Sequence, residues 1–339
     1  MANLKYALRV LNQSKFSTFN EVVDKVAERS GKNKAWIRMD MLQCAVRYGA
    51  GWHDYLIFGW ETIPKKNRDT YLTRMKNKKM IEQLNDPSLN ALFGNKSAFN
   101  KRFAKFLKRE FLTLPDMTEE KLEDFMKDKE IIFAKPNDGE SGKGIERLKK
   151  SDFEDIPALY EYLHRPEKRF GLIEQELKQH PDVSKVYPAS INSLRVNTIV
   201  GDDAKAHVLY ATFKMGNLGK FVDNMENDGL SCPVDLKTGK ICGTAHTSKL
   251  VNYDTHPYTG VKLIGYQLPY IPEVVKLAEE AAMVEPRMRY LGWDIAITED
   301  GPAVIEANNY PGYDFSQLPE HTKDRIGTLY YIRKYVRGI

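Results

Sequence analysis

Near the C-terminal end, two apolar stretches at 293–298 and 303–307 flank the dipeptide Asp300-Gly301, and no other local pattern constrains the chain as tightly. An Asp-Gly step between apolar runs is a strong hairpin signal, because a tight turn of this kind needs positive φ at both central residues. The hairpin carries polar groups inside apolar strands. Asp294 follows a Gly-Trp step, while Glu306 and Asn308 stand two apart on the second strand and so share a face. A turn at Asp300-Gly301 sets residue 294 opposite 306 or 307. Three hard oxygen donors then converge as Mg²⁺ requires, with phosphate oxygens and water completing the octahedron. The bland alternative is a pair of strand ends with turn-capped polar residues.

Other segments extend the pattern. Residues 131–135, 145–149 and 171–177 read as strands, and 193–200 with 206–214 as an antiparallel pair around a Gly-Asp-Asp turn. Residues 234–244 form a further hairpin around Thr238-Gly239, and Pro272 opens a helix reaching about Pro286. The first 95 residues are helical by periodicity. Val22, Val23, Val26 and Ala27 form one stripe; Trp36, Ile37, Met41, Cys44, Ala45 and Tyr48 form another, followed by an aromatic stretch from Trp52 to Trp60 that reads as core. A helix from about Ser97 places Phe99, Phe103, Phe106 and Leu107 on one face, in a region ended by Pro115. The fold class is α+β, rich in antiparallel strands, with a helical front end.

Between the strands at 131 and 145 lies Asn137-Asp-Gly-Glu-Ser-Gly-Lys-Gly144. Its glycines let backbone N–H groups approach a phosphate chain, although a mobile hairpin would look similar. It is not a Walker A loop, since Gly-Lys-Gly replaces Gly-Lys-Ser/Thr and a strand follows. Lys135, inside the preceding apolar strand, is costly to bury without an anionic partner. Ser193, Arg195 and Asn197 share one strand face, where the arginine fork suits phosphate oxygens and a solvent-facing surface is the alternative.

Composition excludes little. The net charge is +5 and the apolar fraction 42%, as in an ordinary soluble protein. That surplus favours anionic partners mildly and falls short of a nucleic-acid footprint. Basic residues cluster from Lys65 to Arg109 and read first as solvated helix faces, second as a dock for a polyanion. Three cysteines, Cys44, Cys232 and Cys242, have no metal-ligand spacing, which fits a reducing cytosol. With no signal-peptide pattern and no membrane span in view, a cytoplasmic protein is expected.

Together these pieces resemble the ATP-grasp superfamily, and more narrowly its sugar-transfer-associated members from polysaccharide gene clusters. The resemblance runs from about Lys96 to Gly312. It rests on Phe133-Ala-Lys-Pro136 with the glycine loop, Ser190-Ile-Asn-Ser-Leu-Arg195, Phe221-Val-Asp-Asn224, His256-Pro-Tyr-Thr-Gly260, Gly292-Trp-Asp294 and Ile305-Glu-Ala-Asn308. It implies an ATP-grasp fold divided into a helical region at 1–95, a small lobe with the glycine-rich loop at 96–178 and a large lobe with the metal strands at 179–339. It implies that Lys96 and Lys135 hold the nucleotide phosphates under a loop of Ser141, Gly142, Lys143 and Gly144. Glu174, Gln175 and Leu177 fall in the hinge that reads adenine, and Asp182 (with His180 close behind) would meet the ribose. Arg195 and Lys135 would be catalytic, and Asp223 and Asn224 lie near the γ-phosphate. Asp294, Glu306 and Asn308 match the Mg²⁺ ligands. Asn227-Asp-Gly229 and the loop from Asn309 to Asp314 depart from the family pattern, so substrate identity does not carry over.

The expected activity is ATP-dependent joining of a carboxylate to an amine through an acylphosphate, with small molecules, an acidic saccharide among them, as substrates. A kinase acting on a hydroxyl and a non-catalytic, nucleotide-dependent polyanion binder are the rival readings. No nucleic-acid partner is expected.

Overall fold

The computed structural model describes residues 16–139, 142–220, 223, 228–322 and 324–339. Two antiparallel sheets organise it. The smaller contains β1 (Phe111–Thr113), β2 (Ile131–Pro136), β3 (Glu146–Lys149) and β4 (Phe170–Gln175) in the order β1-β4-β2-β3. Strict alternation along β2 sends Ile132 and Ala134 inward, where they join Leu148 and Ile173 against the helices Glu119–Phe125 and Ile156–Leu163. The opposite face carries Phe133 and Lys135.

The larger sheet contains β5 (Ser193–Val200), β6 (Ala206–Met215), β7 (Leu230–Asp235), β8 (Lys240–Ile241), β9 (Ala245–His246), β10 (Asn252–Tyr253), β11 (Tyr290–Thr298) and β12 (Gly301–Asn308). Its order is β10-β9-β7-β6-β5-β11-β12, with β8 on β7. Leu194, Val196, Leu291, Trp293 and Ile295 form its apolar face, covered by the helices Lys96–Leu107 and Ile271–Ala282. Phe103 meets Trp293 edge to face at 5.6 Å. Burying aromatic side chains of this size contributes about 1.5–3 kcal/mol each. The other face is left for polar residues.

The helix Lys96–Leu107 starts with Asn95, whose side chain accepts from the Ala98 N–H. It ends earlier than Pro115: Lys108 turns into the left-handed region at φ 47°, and Phe111–Thr113 becomes an edge strand. Three apolar-to-neutral residues have too short a period to announce themselves. Trp36 also departs from expectation and is exposed, with the Lys32 ammonium 4.2 Å from its ring centroid. It lies one residue off the stripe of Ile37, Met41, Cys44, Ala45 and Tyr48, which is buried. Trp52, Tyr55, Phe58 and Trp60 are core, as read.

The basic cluster is not uniformly solvated. Arg68 is buried, with its fork on Asp40 at 2.7 and 2.8 Å, and Arg109 is buried as well. Both are tied to carboxylates far away in sequence. No helix among the described residues is long and apolar enough to cross a membrane.

Candidate active site

Strand register builds the site. Asp294 of β11 stands opposite Glu306 of β12 on one side and Arg195 of β5 on the other, and Arg195 stands opposite Thr212 of β6. Directly opposed residues share a face, so Thr212, Arg195, Asp294 and Glu306 form one rung. The next rung is Tyr210, Asn197, Gly292 and Asn308; on the other side Ser193 opposes Lys214, which opposes Ser231. Gly292 is required by proximity. A Cβ there would sit 2.9 Å from Pro311 Cβ and 3.3 Å from Arg195 Cδ, so a side chain would push the loop after β12 off the sheet.

Charge is concentrated on this face. Arg195 donates to Asp294 from Nε at 2.6 Å and from Nη2 at 3.0 Å. Lys214 Nζ lies 3.3 Å from Asp294 and 3.8 Å from Asp223, which also accepts from the Ser193 hydroxyl. Burial alone would raise the Asp294 pKa, but Arg195 and Lys214 outweigh it and hold the carboxyl well below the usual range. Glu306 behaves oppositely: burial and the Asp294 charge push its pKa up, with Lys214, Lys96 and Arg195 too weakly placed to compensate. Among the described residues no hydrogen-bond donor reaches the Glu306 carboxylate. Asn308 Nδ2 makes only a long contact, 3.5 Å, to the Gly292 carbonyl. Two carboxylates and an amide oxygen on adjacent rungs are the hard donor set that Mg²⁺ takes, so the residues fit that ion.

The smaller sheet contributes a second charged group. Lys135 Nζ lies 2.5 Å from the buried Glu174 carboxylate, which also accepts from Arg109 at 2.8 and 3.1 Å and from Asn100 at 2.7 Å. Burial would raise Glu174, but Arg109 and Lys135 together hold it far below the carboxylate range. Arg109 also donates to the carbonyls of Val304 at 2.6 Å and Ile305 at 3.1 Å. Those two carbonyls lie where the β11–β12 register shifts, between the pairs Asp294–Glu306 and Ile295–Val304. A bulge leaves ladder groups unpaired, and Arg109 occupies them. One arginine therefore ties β4 of the smaller sheet to β12 of the larger.

The glycine loop closes the near side. Gly142 and Gly144 have φ of 76° and 74°, and Gly139 has 141°. Lys96 donates from its side chain to the Gly139 carbonyl at 2.7 Å and from its backbone to Asn137 at 3.1 Å. Gly171 leaves no room for a side chain, because the Asn137 amide fills the place a Cβ would take. Lys143 is exposed. Ser141 and Asn224 lie outside the described residues. Gln175 is engaged with Glu110, and Leu177 is half-buried beyond the end of β4. Asp182 begins the short helix Pro181–Val186 and pairs with Lys185 at 2.7 Å; no described contact joins it to the rungs above.

Sequence reasoning passed over Arg109, Asn100 and Lys214. Lys214 was findable by the rule applied to Lys135, since it also interrupts an apolar strand, between Phe213 and Met215. Arg109 and Asn100 carried no local signal.

The helical front end grips the segment after Asn308. Asn85 donates to the carbonyls of Tyr290 at 2.9 Å and Asn309 at 3.1 Å, and accepts from the Tyr290 N–H at 2.8 Å. Asn77 donates to the Pro311 carbonyl, the Tyr313 hydroxyl to Asp54 at 2.7 Å, and Gln317 exchanges two hydrogen bonds with Leu72. Asn85→Ala strips three buried backbone groups of a partner. At about 1–3 kcal/mol for each unsatisfied group, partly relieved by water, the loss is expected near 3 kcal/mol. Thermal or urea unfolding checks this, and an unchanged midpoint would show that Asn85 is not the tie.

Two lobes of antiparallel sheet, a glycine loop over one and paired acids on the other, define an ATP-grasp protein. The family model for sugar-transfer associated ATP-grasp matches residues 75–324, and the chain belongs to that family. No curated protein matches the sequence. Among solved structures, D-alanyl-alanine synthetase A from Vibrio cholerae O1 biovar eltor is similar at 16% identity and TM-score 0.43, covering 73% of this chain and 65% of its own. The ATP-grasp ligase PsnB with its minimal precursor follows at 17% identity and TM-score 0.41, covering 76% and 66%. D-alanine-D-alanine ligase from Coxiella burnetii stands at 12% and 0.38, covering 71% and 56%. This chain thus spans about 65% of the length of the first of these.

Proposed function

We propose that this protein is an ATP- and Mg²⁺-dependent carboxylate–amine ligase working through an acylphosphate. The observation that carries the reading is the rung of Arg195, Asp294 and Glu306, in which a half-buried carboxylate, with no hydrogen-bond donor among the described residues, lies near three cations. A carboxylate withdrawn from water without a donor is costly and is retained where a cation completes it. Bound at Asp294, Glu306 and Asn308, Mg²⁺ would draw charge from the phosphate oxygens and orient them.

The chain's own groups account for the rest. Arg195 and Lys214 lie where negative charge develops as a substrate carboxylate attacks the γ-phosphate, and fixed cations there need no reorganisation. Lys96 and Lys135 hold the phosphate chain from the side of the glycine loop, whose closure excludes water from a hydrolysable acylphosphate. Because Glu174 is saturated by Arg109, Lys135 and Asn100, adenine would be read by backbone groups around Gln175 and Leu177. Asp182 for the ribose, and Asp223 with Asn224 beside the γ-phosphate, complete the set. In this reading 96–178 is the clamping lobe, 179–339 the metal lobe and 1–95 the support of the loop after Asn308. An acidic sugar or small carboxylate joined to an amino acid or amine suits the cationic face and the family's association with sugar transfer.

Incubating the protein with ATP, Mg²⁺ and a matrix of carboxylates and amines, while following ADP and phosphate, tests the reading. Phosphate release dependent on both partners is expected. A stable phosphorylated product from a hydroxyl acceptor would establish a kinase instead.

A further inference from the structure

The polar face does not stop at Lys214. Ser231 of β7, opposite Lys214, is in turn paired with His246 of β9, so His246 continues the same rung. Three strand spacings separate Arg195 on β5 from His246 on β9, about 14 Å.

At that far end lies a knot of buried polar atoms. The His246 ring is fully buried, and neither of its nitrogens has a hydrogen-bond partner among the described residues; the Thr244 hydroxyl is also buried without one, and the buried Ser316 hydroxyl has the Tyr210 hydroxyl as its neighbour. Three unmet polar atoms therefore fall in one place. His246, Thr244 and Ser316 are linked through His321 and Phe315. His246 lies 4.6 Å from the His321 ring and 5.8 Å from Phe315, centroid to centroid. His321 Nδ1 lies 2.7 Å from the Phe315 carbonyl and Nε2 3.3 Å from that of Thr244. Ser316 adjoins the Tyr210 hydroxyl, and Tyr210 belongs to the rung of Asn197, Gly292 and Asn308. Thr244 and Ser316 are themselves only half-buried, so the knot lies just beneath the surface.

Buried polar groups are ordinarily paired, and each left unmet costs about 1–3 kcal/mol. Three together, on the continuation of the proposed catalytic face and roofed by the turn that follows the proposed metal strands, mark a place where partners arrive from outside. The kind of partner follows from the groups. Two hydroxyls and an imidazole offer donors and acceptors but no charge. Burial and the neighbouring His321 push the His246 pKa down to about 4, which keeps the ring neutral at physiological pH. The aromatic faces of Phe315 and His321 border the same space.

We infer that Thr244, His246 and Ser316 form a distal subsite for a neutral moiety of the acceptor rich in hydroxyl or amide groups, whose reacting carboxylate lies at Arg195 and Lys214. The inference rests on the ligase reading. It adds that the acceptor spans roughly three strands and is charged at one end only.

The test uses the full chain with Mg²⁺ and a non-hydrolysable ATP analogue. Thermal shifts are recorded with glucuronate, N-acetylglucosamine, glutamine and citrate as probes, for the wild type and for His246→Leu and Thr244→Val/Ser316→Ala. Shifts for the neutral-ended probes that vanish in both variants, with the nucleotide shift intact, are expected. A response to N-acetylglucosamine and glucuronate alone identifies a sugar end, and one to glutamine alone an amide end. Citrate, charged throughout, should bind no better to wild type than to either variant. If both variants melt higher and bind every probe as wild type does, the knot is only hydrated and the inference falls. If the nucleotide itself gives no shift in the wild type, the ligase reading fails first.

Discussion

Glu306→Gln is expected to abolish ATP turnover while leaving the protein as stable as the wild type or more so. The carboxylate is half-buried beside Asp294, receives no donor among the described residues and has its pKa pushed up by that environment. Neutralising it removes a partly buried charge that has no donor among the described residues, which relieves the fold. On the proposed reading it also removes a metal ligand. Loss of partners one shell further out already reduces metal affinity or activity about 10–100-fold, so more than about 100-fold is expected here. Asp294→Asn should separate the two effects. It removes a ligand too, but leaves the buried Arg195 and Lys214 facing a neutral amide, so both activity and stability fall. Melting curves and Mg²⁺ titrations of both variants decide the matter. Retained turnover in Glu306→Gln would remove that residue from the metal site.

The second large effect concerns Glu174. Glu174→Ala leaves Arg109 buried without its carboxylate and frees Lys135, and breaking such a buried pair costs about 3–5 kcal/mol. Its pKa in the folded protein lies below that of the unfolded chain. The stability it contributes is therefore present above the unfolded value, near 4.3, and is lost as pH falls below that point. Acid unfolding should accordingly lose part of its pH dependence in the variant. The double variant Arg109→Met/Glu174→Leu, which replaces the pair by apolar groups of similar bulk, should recover much of the loss. Recovery of stability without recovery of turnover would show that Arg109 serves the chemistry by holding the bulge of β12 and not by supporting the fold.

Those two sites differ in how far they could be read in advance. The 294–306 pairing was legible because hairpin register is local: a two-strand unit closed by Asp300-Gly301 leaves little freedom, and a slip of one residue would turn the acids into the core. The same locality exposed Lys135, Arg195 and the glycine loop, each visible as polar chemistry interrupting an apolar strand or a turn. Lys214 obeyed the same rule and was passed over. Arg109 could not be found this way. It sits in a run of basic residues, and nothing nearby distinguishes it from Lys105 or Lys108; its carboxylate is 65 positions away and its carbonyls about 195.

The amino-acid sequence by itself determined the hairpin, the spacing of its acids, the strand content and the family. Tertiary structure alone decided that Arg109 joins the two sheets, that Asn85 and its neighbours hold the loop after Asn308, and that His246 continues the rung of Lys214 and Ser231. The reason is physical. Periodicity and turn chemistry report which face of an element is apolar, whereas the fate of a buried polar group depends on which distant partner the packing brings within about 3 Å.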